Sequence, residues 1–95
     1  MPFRLKFTSE ADAQLAALAS DPKKLKKVRR CLGLLETDPR YPGLHSHKYA
    51  AMKTPDGRDV WESYVENRTP SAWRVFWCYG PGGEIITILA IVPHP

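Results

Sequence analysis

Apolar and polar residues alternate through Phe3-Arg4-Leu5-Lys6-Phe7, the period of a half-buried strand with its basic side chains turned to water. The period then lengthens. Ala11, Leu15 and Leu18 form an apolar stripe behind a hydroxyl cap at Thr8 or Ser9. Glu10 and Asp12 add negative charge to the first turn, where the helix dipole favours it. Asp21-Pro22 restarts the helix as an N-cap followed by proline at the first helical position. Leu25, Val28, Leu32 and Leu35 mark one face of this second helix. It stops at Thr37-Asp38-Pro39, because the residue before a proline disfavours the helical conformation. So tight a connection between two helices predicts an antiparallel hairpin.

Residues 38–59 are rich in turn formers, among them Pro39, Pro42, Gly43, Pro55, Asp56 and Gly57. They read as a long loop with one short extended piece at His45-Ser46-His47-Lys48-Tyr49, and loops of that length in small domains are often functional. Three strands follow. Val60 to Glu66 alternates, with Trp61, Ser63 and Val65 on one face and Glu62, Tyr64 and Glu66 on the other. Ala72 to Tyr79 is the second strand, after the turn Asn67-Arg68-Thr69-Pro70-Ser71. Glu84 to Val92 is almost wholly apolar, as expected of a strand on a central seam. The pattern predicts an α+β domain spanning residues 1–95, a two-layer sandwich in β-α-α-β-β-β order with an antiparallel sheet covered on one face by the helical hairpin.

Composition narrows the classes. A hydrophobic fraction of 43% with three Trp, four Tyr and three Phe excludes a disordered chain. The net charge of +4 suits an anionic partner, nucleic acid or acidic protein. Cys31 and Cys78 have neither metal nor disulfide-framework spacing and read as buried thiols of an intracellular protein. The N-terminus lacks the apolar stretch of a signal peptide and no run is long enough to cross a membrane, so a cytoplasmic protein is expected.

Two features carry candidate chemistry. Lys23, Lys24, Lys26, Lys27, Arg29 and Arg30 put six bases into eight positions of the second helix. The bland reading is a solvated face; the sharper one is a phosphate-facing surface, to which His47 and Arg68 would add RNA contacts. Arg74 sits amid Trp73, Val75, Phe76 and Trp77, where an unpaired charge is costly. Either Glu62 or Glu66 pairs with it across the hairpin, or it faces a groove that receives an anion. His45 and His47 share a strand face, but with no Cys, Asp or Glu close by in sequence no metal site and no cofactor is expected.

Several local patterns resemble the RelE/ParE superfamily of type II toxin–antitoxin toxins, over nearly the whole chain. They are Asp38-Pro39-Arg40-Tyr41-Pro42-Gly43-Leu44 after the second helix, Val60-Trp61-Glu62-Ser63-Tyr64-Val65 leading to Trp73-Arg74-Val75-Phe76-Trp77, and Ile88-Leu89-Ala90-Ile91-Val92-Pro93-His94. The resemblance implies a cognate antitoxin that wraps the toxin, and either ribosome-dependent cleavage of mRNA or, in the ParE branch, poisoning of gyrase. It leaves the oligomeric state open. For a nuclease it implies that Arg74 holds the scissile phosphate and that His94 serves as acid or base. Glu62 and Lys48 complete the implied catalytic set, Lys48 lying where some members carry a basic loop residue. The chain departs from the family at Ser63 and Tyr64, where another base is usual, and at Pro95, where many members have tyrosine. A catalytically silent member acting by protein binding is therefore the alternative.

Overall fold

A computed structural model describes residues 2–95. The elements are β1 (Arg4–Phe7), α1 (Ser9–Ala17), α2 (Pro22–Thr37), β2 (His47–Lys53), β3 (Asp59–Tyr64), β4 (Trp73–Tyr79) and β5 (Ile85–Pro93). The caps are those expected from the sequence: Thr8 accepts from the Ala11 N–H and Asp21 from the Lys24 N–H. The five strands lie in the order β1-β5-β4-β3-β2. β5 is thus interior, which accounts for its unbroken apolar run.

Two expectations are corrected. The extended piece at residues 45–49 is part of a full strand, β2, so the meander has four strands rather than three. Its residues, His-Lys-Tyr-Ala-Ala-Met-Lys, show no apolar alternation because β2 is an edge strand on which only Tyr49 is partly buried. The sheet is also mixed: β1 runs parallel to β5 through Leu5 opposite Ile86 and Phe7 opposite Ile88, while the other pairs are antiparallel.

The core lies between the helices and one face of the sheet. Val28, Cys31, Leu32 and Leu35 of α2 meet Val75, Trp77, Ile86, Ile88 and Ile91. One polar thread crosses this layer. The Trp77 indole N–H donates to Ser63 Oγ at 2.8 Å, the Ser63 and Ser46 hydroxyls lie 2.7 Å apart, and Ser46 donates to the Pro39 carbonyl at 2.8 Å. An indole N–H only donates and a carbonyl only accepts, so every proton is assigned and Ser63 must donate to Ser46. The thread ties the start of β2 to β3 and β4.

A register shift between Phe76 and Trp77 opposes an irregularity in β5. Past the end of β1, the cap and body of α1 bond the β5 backbone: Thr8 Oγ1 donates to the Leu89 carbonyl at 3.1 Å, and Gln14 Oε1 accepts from the Ile91 N–H at 2.7 Å.

Candidate active site

The face of the sheet away from the helices carries Glu62, Tyr64, Arg74 and Phe76, since Glu62 is in register with Phe76 and Tyr64 with Arg74. Glu62 is the centre. It is 2% exposed, and His47, directly opposite it on β2, places Nε2 2.8 Å from Glu62 Oε1. His94 brings its Nε2 to 3.3 Å from Oε2, and Arg74 Nε lies 3.8 Å from the same oxygen. His94 is fixed by its backbone N–H, which donates to the Ala72 carbonyl at 2.8 Å.

The two imidazoles are oriented alike. His47 Nδ1 lies 2.8 Å from the His45 carbonyl and His94 Nδ1 lies 2.7 Å from the Pro95 carbonyl oxygen. A carbonyl accepts only, so each Nδ1 carries a proton and each ring turns Nε2 toward the carboxylate. The rings remain reachable, His47 with 49% and His94 with 42% of its side chain exposed.

Of the two candidate carboxylates Arg74 faces Glu62, while its hydrogen bonds go to backbone carbonyls. Its Nη1 donates to the Glu66 carbonyl at 2.6 Å and the Trp73 carbonyl at 3.1 Å, and its guanidinium lies 3.7 Å from the centroid of the Tyr64 ring. The side chain is 9% exposed. Its carboxylate partner is Glu62, yet Arg74 Nε and Glu62 Oε2 are both buried without a hydrogen bond. Buried polar atoms are nearly always bonded, so this unbonded pair stands out.

Glu66 is not on this face. The Val65 and Glu66 N–H groups both donate to the Trp73 carbonyl, a bulge that turns the Glu66 carboxylate toward α2. There it pairs with Lys24 at 2.7 Å and Lys27 at 3.1 Å. Burial pushes the Glu66 carboxyl up, but the two lysines and the Trp73 N–H outweigh it and bring it down to about 2. Lys24, also 5.1 Å from the Trp73 ring, is therefore a structural cation. Lys23, Lys26, Arg29 and Arg30 are exposed on the same helix, and Arg68 is exposed in the β3–β4 turn.

Lys48 is not brought to the cluster. It is in register with Trp61, which faces as Trp77 does, and its ammonium is 3.2 Å from Asp59. His47 and Glu62 are the reverse case. Both were candidates, but their direct pairing is set by β2–β3 register, which only a recognised second strand could have revealed. Cys78 borders the open face; burial pushes its thiol up and that of Cys31 up to about 12, so neither presents a thiolate. Among the described residues no three His, Cys, Asp or Glu side chains gather as a metal site, and no helix is long and apolar enough to cross a membrane.

Beside the cluster an apolar groove of about 590 Å³ runs over the open face between Tyr49 and Met52 of β2 and Leu89 and Val92 of β5, with Phe76 in its floor.

This arrangement is the fold of the RelE/ParE-like toxins. Scans against protein-family models and curated sequences found no match. Solved structures do match over almost their full length. A YoeB/ParE toxin from Agrobacterium tumefaciens is 11% identical with a TM-score of 0.73, covering 98% of this chain and 100% of that one. The archaeal RelE–RelB complex from Pyrococcus horikoshii gives 17% identity and a TM-score of 0.69, covering 98% and 96%. The DinJ–YafQ toxin–antitoxin complex of E. coli gives 11% and 0.70, covering 99% and 94%.

Proposed function

We propose that the protein is the toxin of a type II toxin–antitoxin pair and that it cleaves RNA, with the ribosome-bound message as substrate and His47 and His94 as the reacting groups. The observation that carries this reading is the Glu62 cluster: two half-exposed imidazoles with locked Nδ1 protons aim Nε2 at one buried carboxylate.

Glu62 is too buried to touch a substrate, so it is a positioning residue that orients both rings. For the reaction each half-exposed ring turns its Nε2 from Glu62 to the substrate. His94 takes the 2′-hydroxyl proton. The 2′ oxygen attacks the phosphorus, a 2′,3′-cyclic phosphate forms as the bond to the 5′ oxygen breaks, and His47, entering as the imidazolium, gives its Nε2 proton to that leaving oxygen. Arg74, anchored through Nη1, supplies positive charge beneath the phosphate. Lys23, Lys26, Lys27, Arg30 and Arg68 give an exposed basic surface for ribosomal RNA.

The apolar groove beside the cluster supports capture of a partner chain, which for this reading is the antitoxin; two of the similar structures are toxin–antitoxin complexes. The groove also favours the second reading, a member that works in the cytoplasm by protein binding alone.

Controlled expression in a bacterial host tests the choice. Growth arrest with new 5′ ends mapped by primer extension is expected, with both lost in His47→Ala and His94→Ala proteins that keep their circular dichroism. Arrest without new transcript ends, or undiminished toxicity of both variants, would overturn the nuclease reading.

A further inference from the structure

On the other side of β2 from the cluster lies a second cavity, of about 360 Å³, which the reaction above does not use. That is within the range of small-molecule sites, about 300–1,000 Å³. Its walls are aromatic: Trp61 and Tyr79 pack at 5.9 Å between centroids, and Trp77 backs them with centroids 5.7 Å from Trp61 and 4.9 Å from Tyr79. Tyr41 forms the opposite lip. Among the described residues, Tyr41 and Tyr79 are two of the three large apolar side chains that are exposed, at 41% and 37%.

The lip is built rather than loose. Tyr41 is bracketed by Arg40 and Pro42, its N–H donates to the Asp38 carbonyl at 3.0 Å, and its own carbonyl accepts from Leu44 at 3.0 Å. The ring lies flat over Gly43, where any Cβ would come within 2.7 Å of it. Glycine at 43 is what lets the ring occupy that position. Beside it, Arg40 is exposed and has no ion-pair partner among the described residues. Burial pushes the Tyr79 hydroxyl up; Arg40 stands close enough to oppose that and Asp38 close enough to add to it.

The polar groups at the cavity floor are already committed. The Ser46 hydroxyl is held by Pro39 and Ser63, and the Trp77 indole N–H by Ser63. Open to a ligand are the exposed Tyr41 and Tyr79 rings and the Arg40 guanidinium. That combination recognises a nucleotide by stacking and by its phosphate. The cavity also connects to the cluster. His45, on its wall, packs on Tyr64 at 5.0 Å between centroids, and Tyr64 in turn carries the Arg74 guanidinium at 3.7 Å.

We infer that this cavity is a second nucleotide site, which takes a base flanking the reactive phosphate of a single-stranded RNA, with Tyr41 and Tyr79 as stacking faces and Arg40 on its phosphate. The inference rests on RNA as the substrate, but its test needs no cleavage. Tryptophan fluorescence is titrated with adenosine monophosphate, and with inorganic phosphate as the arm that lacks a base. Saturable quenching by the nucleotide and not by phosphate is expected, about tenfold weaker in Tyr41→Ala and in Arg40→Ala. The Lys6→Ala protein, altered at an exposed base of β1, should bind as the parent does. Absence of saturation at millimolar nucleotide, or equal weakening by Lys6→Ala and the two loop variants, overturns the site. Nucleotide binding that depends on Tyr41 would stand even if no transcript were cut, and transcript cleavage without it would sink this site alone.

Discussion

The two faces of the β3–β4 ladder are made by alternate residues of the same strands, yet they solve burial in opposite ways. Toward the helices, Ser63 and Trp77 are buried with every polar atom bonded in a chain that ends on a carbonyl. Toward the open side, Glu62 and Arg74 are almost as buried, but each keeps an atom without a hydrogen bond and the pair stands 3.8 Å apart. A face built only for stability satisfies its polar groups. The open face instead holds charge in readiness, its cost offset by the packing behind it.

Breaking the open face should have the largest effect. Glu62→Gln strands the Arg74 cation and is expected to cost about 3–5 kcal/mol in urea denaturation, whereas Glu62→Leu with Arg74→Met should recover most of it. If the single variant is as stable as the parent, the pair contributes nothing and the contrast between the faces collapses. On the helix side, Ser63→Ala leaves the Trp77 N–H unpaired in the core and should cost about 1–3 kcal/mol, with no change in how His47 and His94 respond to substrate.

The Glu66 pair sharpens the comparison through pH. Its carboxyl lies near 2 in the fold, below its ordinary value of 4.5, so its contribution is present above about pH 4.5 and is lost as pH falls toward 2. Allowing for solvent around Lys27, it is worth about 1–2 kcal/mol. Urea midpoints at pH 6 and pH 3 should converge when Glu66→Gln is compared with the parent; an unchanged gap would mean the lysines do not hold it. The smallest effect belongs to Lys48→Ala, an exposed ion pair, which should shift stability by under about 0.5 kcal/mol and leave toxicity intact. Loss of toxicity there would put Lys48 back among the reacting groups.

Much of the architecture was legible from periodicity and caps. Strand alternation correctly divided Trp61 and Ser63 from Glu62 and Tyr64, and the apolar run at 85–92 marked the interior strand. What misled was local. Counting by twos puts Glu66 with Glu62, but one bulge sends it to α2. β2 was invisible as a full strand because an edge strand with one half-buried residue carries no apolar pattern.

By itself, then, the chain determined which residue types would be scarce and costly in the sheet: one arginine among aromatics, one glutamate on the neighbouring strand of the hairpin, and histidines outside the regular pattern. Their meeting was decided by tertiary structure alone. His47 reaches Glu62 through the β2–β3 register, and His94 reaches it because β5 lies beside β4 and its last backbone N–H is held by Ala72. Register and strand order are long-range properties, paid for by the whole core, and no short stretch of sequence encodes them.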